Sequence, residues 1–154
     1  MKVGAYDAID SRYLTETLIQ RRDAILRRYL THLSPIGSLA LEGDRLCGTD
    51  LARLSHSIAR ETLSYRAHYY VADSTTPRGN LPVEGDANGL LCVGLAHGSS
   101  DQGSPDTDLS RYRIVDIFNG SARGPLRAHL YDLGPRRGFK LVGIERPEET
   151  YPAE

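Results

Sequence analysis

Two short stretches of this chain repeat the same order of side chains that can hold an anion and move a proton. Arg66-Ala67-His68-Tyr69-Tyr70 is followed 61 residues later by Arg127-Ala128-His129-Leu130-Tyr131. Arginine offers a planar fork of donors that matches carboxylate or phosphate, and histidine takes up or releases a proton near neutral pH. In extended chain, alternate side chains share a face. Arg66, His68 and Tyr70 then form one polar stripe, and Arg127, His129 and Tyr131 form another. With the two strands close together, two His and two Arg could converge on an oxyanion. The opposite faces, Ala67/Tyr69/Val71 and Leu126/Ala128/Leu130, read as core.

Asp116 is the other candidate. Among Tyr112, Ile114, Asp116 and Phe118 it is the only acid on an otherwise apolar face. An unpaired carboxylate in such a place has a raised pKa and suits a general base at the mouth of a pocket. Two simpler arrangements remove that role: burial of the opposite face, Val115 and Ile117, or pairing of Asp116 with a nearby Arg. His97 reads as a loop residue able to contact a ligand, and His32 as a partner for the carbonyls that end a helix. Asp132, Glu145 and Arg146 read as surface ion pairs at strand ends. Asn119-Gly120-Ser121 has the form of a glycosylation sequon.

The placement of His68 and His129 on two strands is similar to the two-histidine phosphoesterases, which carry two His-x-Thr/Ser motifs on a pseudo-symmetric sheet. The matching stretches here are His68-Tyr69-Tyr70 and His129-Leu130-Tyr131. Tyr stands where that family has Thr or Ser, and the helices expected between the strands are missing. The chain has no phosphate-cradling Gly-Lys-Ser/Thr loop, no dinucleotide fingerprint, no nucleophile elbow and no His-Glu-x-x-His zinc site. No cofactor or metal is therefore expected.

At 154 residues, with 40% hydrophobic and 25% charged side chains, the chain fits one soluble domain with a sizeable core. A net charge of −1 argues against a general nucleic-acid binder. No stretch is apolar and long enough to span a bilayer. Seventeen arginines stand against two lysines, Lys2 and Lys140. That bias fits either genome composition or a need for bidentate contacts. Cys47 and Cys92 lack the close spacing of a metal or redox pair. They are free thiols in a cytoplasmic protein, or one Cys47–Cys92 disulfide in an exported protein whose signal has been removed.

These side chains need elements to position them. Leu14, Leu18, Ile25, Tyr29 and Leu33 recur at helical spacing, with Leu26 and Leu30 widening the stripe, and predict a helix over 10–33 capped by Asp10 or Ser11. A second helix is expected over 50–63, capped by Thr49 or Asp50. Residues 38–48 are ambiguous, with Glu42-Gly43-Asp44 as a turn. Period-two alternation then predicts five strands, at about 64–72, 90–96, 111–118, 126–132 and 139–146. Loops over 73–89 and 98–110 separate the first three, and an acidic tail occupies 147–154.

Helices followed by consecutive strands imply an α+β domain spanning 1–154, with two N-terminal helices packed on a mostly antiparallel, curved five-stranded sheet. The element order resembles the cystatin-like or NTF2-like arrangement. The repeat is either coincidence or a duplication of two hairpin-like units containing Val93-Gly94-Leu95 and Val142-Gly143-Ile144; under duplication Gly94 and Gly143 mark bulges or close backbone contacts. The leading expectation is a non-enzymatic binding or accessory module that presents Arg66, His68, Tyr70, Arg127, His129 and Tyr131 to an anionic small molecule or a protein partner, with a homodimer open to it. The alternative is a small hydrolase or isomerase-like enzyme with a pocket between helices and sheet, using Asp116 or His68/His129 for acid–base chemistry.

Overall fold

Strands, rather than helices, provide both layers of this molecule. The structure, a computed structural model, describes residues 7–56, 58–71, 74–97 and 111–147. It is α+β, with one long helix and two antiparallel sheets. Helix α1 spans Ala8–Leu30 and is followed by β1 (Ile36–Glu42), β2 (Arg45–Asp50) and the single-turn α2 (Leu51–Leu54). Then come β3 (Arg66–Val71), β4 (Gly79–Leu81), β5 (Val83–Gly85), β6 (Leu90–Gly94), β7 (Tyr112–Phe118), β8 (Leu126–Asp132) and β9 (Phe139–Glu145). One sheet has the order β1-β2-β6-β5 and the other β4-β3-β7-β8-β9.

The five strands read from alternation stand at β3, β6, β7, β8 and β9. The expected single five-stranded sheet does not: β6 leaves it and pairs with β2 and β5 instead. The ambiguous 38–48 stretch is the β1–β2 hairpin, turning at Gly43 with φ +61°. The loop expected over 73–89 contains β4 and β5, and the chain crosses from one sheet to the other at Pro82 between them. A proline suits that corner because it has no N–H to offer a ladder. The two hairpin-like units are not alike: β8 and β9 pair directly, whereas β3 and β6 lie in different sheets. The two glycines have different surroundings. Gly143 lies under the His129 ring at the β8–β9 register shift, and a Cβ on Gly94 would come within 3.0 Å of Pro82.

The core lies between the sheets. Ile36, Leu46, Leu91 and Val93 face Ala67, Val115, Ile117, Leu126, Ala128 and Leu130, all essentially inaccessible. Burying a side chain of this size is worth about 1.5–3 kcal/mol, so the sandwich needs no helix to close it. The helices differ from expectation accordingly. The stretch 50–63 forms only α2 and a turn of 3-10 helix at Arg60–Thr62. Helix α1 is capped by Asp7, whose carboxylate accepts from the amides of Ile9 and Asp10, and it buries no residue against either sheet. The helix-in-curved-sheet packing of the cystatin-like and NTF2-like arrangement is not seen among the described residues. Among the described residues no helix is long and apolar enough to cross a membrane. The segment 98–110, the tail from 148 and residues 1–6 lie outside the described residues.

Polar clamps tie the layers at both ends. At one end Asp50, 0% exposed, caps α2 and accepts from the Tyr65 hydroxyl at 2.9 Å and the Asn119 amide at 3.2 Å. Burial, followed by the charge of Asp50, pushes the Tyr65 phenol up to about 12. The Asn119 carbonyl accepts from the amides of Ser121 and Ala122. With its amide occupied and the residue 1% exposed, Asn119 is not available to carry a glycan in the folded protein. Cys47 and Cys92 face each other across β2 and β6 and form a disulfide, on the side of the sheet away from the core.

Candidate functional site

The two polar stripes lie on the same face of the five-stranded sheet, the one turned away from the core. Strand β7 runs between β3 and β8 and fixes the register. His68 is opposite Asp116, which is opposite Arg127, which is opposite Glu145. In the next row Tyr70, Ile114, His129 and Gly143 follow one another, and Tyr112 and Tyr131 stand beyond them.

Sharing a face does not bring these groups to one point. His68 and His129 are two strands and two residues apart, about 12 Å by strand spacing and rise, and the Arg127–Asp116 pair stands between them. The Arg127 guanidinium donates to both Asp116 oxygens, at 2.7 and 2.8 Å. That bond with Asp116 holds the Arg127 pKa above its ordinary value. Asp116 is 2% exposed, faces away from the core and is claimed by this pair. Its place is not the mouth of a pocket between helices and sheet. His129 has both ring nitrogens engaged, Nδ1 with the Tyr112 hydroxyl and Nε2 with the Glu145 carboxylate. Burial, followed by the charge on Asp116, raises the Tyr70 phenol, and Arg127 lies over its ring at 5.9 Å. His68 packs against Phe118, with ring centroids 5.3 Å apart, and Arg66 lies over the same ring. Among the described residues no ion pair involves Arg66 or His68.

A second group of polar side chains surrounds a cavity inside the sandwich, at the end opposite Asp50. Its volume is about 540 Å³. The walls are apolar, from residues such as Val71, Leu81, Leu95, Val115 and Phe139, while Tyr69, Asn80, His97 and Arg113 supply polar atoms. Alternation explains Arg113: it shares the inward side of β7 with Val115 and Ile117 and lies where the core thins out at the strand end. It is 8% exposed, and one guanidinium nitrogen is 3.7 Å from Asp132.

His97 joins the layers here. Its Nδ1 is 2.6 Å from Asp132 at the end of β8, and its Nε2 is 3.2 Å from Asp44 in the β1–β2 turn. The ring stacks on Phe139 at 4.5 Å and 9°. The bond to Asp132 raises the His97 pKa above its ordinary value, burial opposes that, and Asp44 adds to it. The two flanking carboxylates favour the charged, doubly donating form of the imidazole.

Sequence reasoning placed Asp132, Glu145 and Arg146 at the surface. Asp132 departs from that, being 5% exposed and anchoring His97; Glu145 is exposed and pairs with His129 as expected, and the exposed Arg146 donates to the carbonyls of Ser34 and Ile36 rather than to an acid. The one available signal for Asp132 was its inward phase, two residues beyond Leu130. His97 carried no periodic signal, because it stands three residues beyond the end of β6.

Comparison with known proteins adds no assignment: no protein-family model matches the chain, and no curated protein or solved structure does so.

Proposed function

We propose that this chain is a non-enzymatic binding module whose ligand sits in the cavity between the two sheets. The cavity carries the reading: about 540 Å³, largely apolar, with a few convergent polar groups, in the size range typical of small-molecule sites. The polar end sets Arg113 and His97 beside the carboxylates of Asp132 and Asp44. It suits a compact apolar molecule with one hydrogen-bonding or singly anionic head. On the described cavity wall the histidine is already engaged, which favours binding over turnover there. His97 and His129 both have their two nitrogens engaged, and Asp116 is held by Arg127.

The test is titration with 1-anilinonaphthalene-8-sulfonate, which has an apolar body and one anionic head. Saturable one-to-one binding is expected, lost in Leu81→Trp, which fills the cavity rim, and weakened in Arg113→Met. Absence of saturable binding, or equal binding by Leu81→Trp, rejects the cavity as the seat.

A second reading places an anion or protein partner on the outer Arg/His/Tyr face. The observation that favours it is local: Arg66 and His68 flank Phe118 without an ion-pair partner among the described residues. In an NMR titration of the histidines with inorganic phosphate, a rise in the His68 pKa would support that face. An unchanged His68 would remove it.

A further inference from the structure

Helix α1 has 23 residues and none of them is buried. At 1.5 Å per residue it is about 35 Å long. Helices gain most of their stability from packing an apolar stripe, and isolated ones are marginal. Among the described residues its stripe is largely open: α1 meets α2, and Leu26 and Leu30 are half-buried, but the rest is exposed. Leu14, Leu18, Ile25 and Tyr29 recur on one side and are 37, 62, 58 and 59% exposed, and Leu33, just past the helix end, is 43% exposed. Of the thirteen large hydrophobic side chains exposed among the described residues, eight fall between Ile9 and Leu33, which marks this segment rather than the sandwich as the sticky surface.

The charges along the helix say what fits it. Its first half carries Asp7, Asp10 and Glu16 against Arg12, a net of −2; its second half carries Arg21, Arg22, Arg27 and Arg28 against Asp23, a net of +3. Two copies side by side and parallel would set four arginines against four. Two copies running antiparallel set each acidic half against a basic one and bring Leu14 opposite the partner's Ile25.

We infer that α1 is a self-association element and that the occupant of its apolar stripe is α1 of a second copy of this chain, packed antiparallel. This goes beyond the cavity and does not depend on it. The two sandwiches would sit at opposite ends of the helix pair, leaving both cavities open. The flanking arginines cover the stripe's edges with their stems while their heads reach the opposing acids.

The test uses the full chain. Sedimentation equilibrium from 1 to 200 μM should show a dimer that weakens as salt rises. Leu18→Glu with Ile25→Glu should give a monomer whose near-ultraviolet dichroism and thermal midpoint at low concentration match the parent. Orientation is read separately. Both native cysteines are joined to each other, so Arg12→Cys provides one unique spin-label site. Antiparallel packing predicts an axial label separation of about 20–25 Å, from fifteen residues of rise; parallel packing predicts about 10 Å, a helix-to-helix spacing. A monomer throughout the range overturns the inference, including one that binds anionic phosphatidylserine vesicles instead. So does a dimer indifferent to the double substitution, or a short label distance.

Discussion

Raising the pH should loosen the Asp44 end of the sandwich through His97. Asp132, and less so Asp44, favour the charged imidazole, so its pKa lies above the ordinary value of 6.5. A raised pKa gives stability that is complete below about 6.5, the unfolded value, and that disappears as pH climbs through the folded value. The bond to Asp132 is short, at 2.6 Å, with the two side chains 18 and 6% exposed. A charge-assisted bond of that kind is worth about 1.5–3 kcal/mol. Asp44 is 57% exposed, so its 3.2 Å contact adds little. The total at stake is about 2 kcal/mol, and for a chain of this size that corresponds to about 4–8 °C in midpoint. Urea unfolding between pH 6 and 9 should show the parent losing this amount while His97→Gln stays flat over the same window. Parallel decline of the two proteins would refute the reasoning, as would an NMR titration in which His97 loses its proton below 6.5.

Asp50→Ala should cost about 2–4 kcal/mol in urea unfolding. It removes the cap of α2 (about 1 kcal/mol) and takes the buried acceptor away from the half-buried Tyr65 hydroxyl and from the Asn119 amide, which keeps Ser121. Tyr65 sets an alkaline limit: its folded pKa of about 12 exceeds its ordinary value of 10, so stability should fall as pH rises from 10 toward 12, and Tyr65→Phe should abolish that fall. Replacing Cys47 and Cys92 together with Ala opens a link across 45 positions; loop entropy puts the loss near 4 kcal/mol, checked by denaturant midpoint with ligand absent. In Gly120→Ala the new Cβ would come within 2.9 Å of the Ser64 backbone nitrogen at φ +82°; a drop in thermal midpoint is expected, larger than for Gly134→Ala, whose Cβ meets nothing.

The strands that frame the outer face were legible because alternation is a local property. Val115 and Ile117 mark the buried side of β7, and Ala67 and Ala128 mark it on β3 and β8; these phases alone place Arg66, His68, Arg127 and His129 together outside. Which strands pair is not local. Nothing in the phase of Leu91 and Val93 says that β6 belongs with β2, so one sheet was expected where two form. The β4–β5 corner escaped notice because three-residue strands around Pro82 show no period. The helix pattern at Leu14, Leu18 and Ile25 was read correctly as amphipathic and wrongly as covering a sheet, since an apolar stripe does not name its partner. The cavity depends on the spacing of two layers, and His97 reaches it from the end of β6.

Arg146 spans a join of a different kind from the rest of the molecule. On one side the two layers are continuous through Pro82, a covalent spine. On the other, β9 comes near β1 without a backbone ladder, and two hydrogen bonds from one guanidinium fasten them. A shell built this way opens as a book does, away from its binding. Amide hydrogens along β9 should therefore exchange before those of β7, and Arg146→Met should widen that difference while the spine holds.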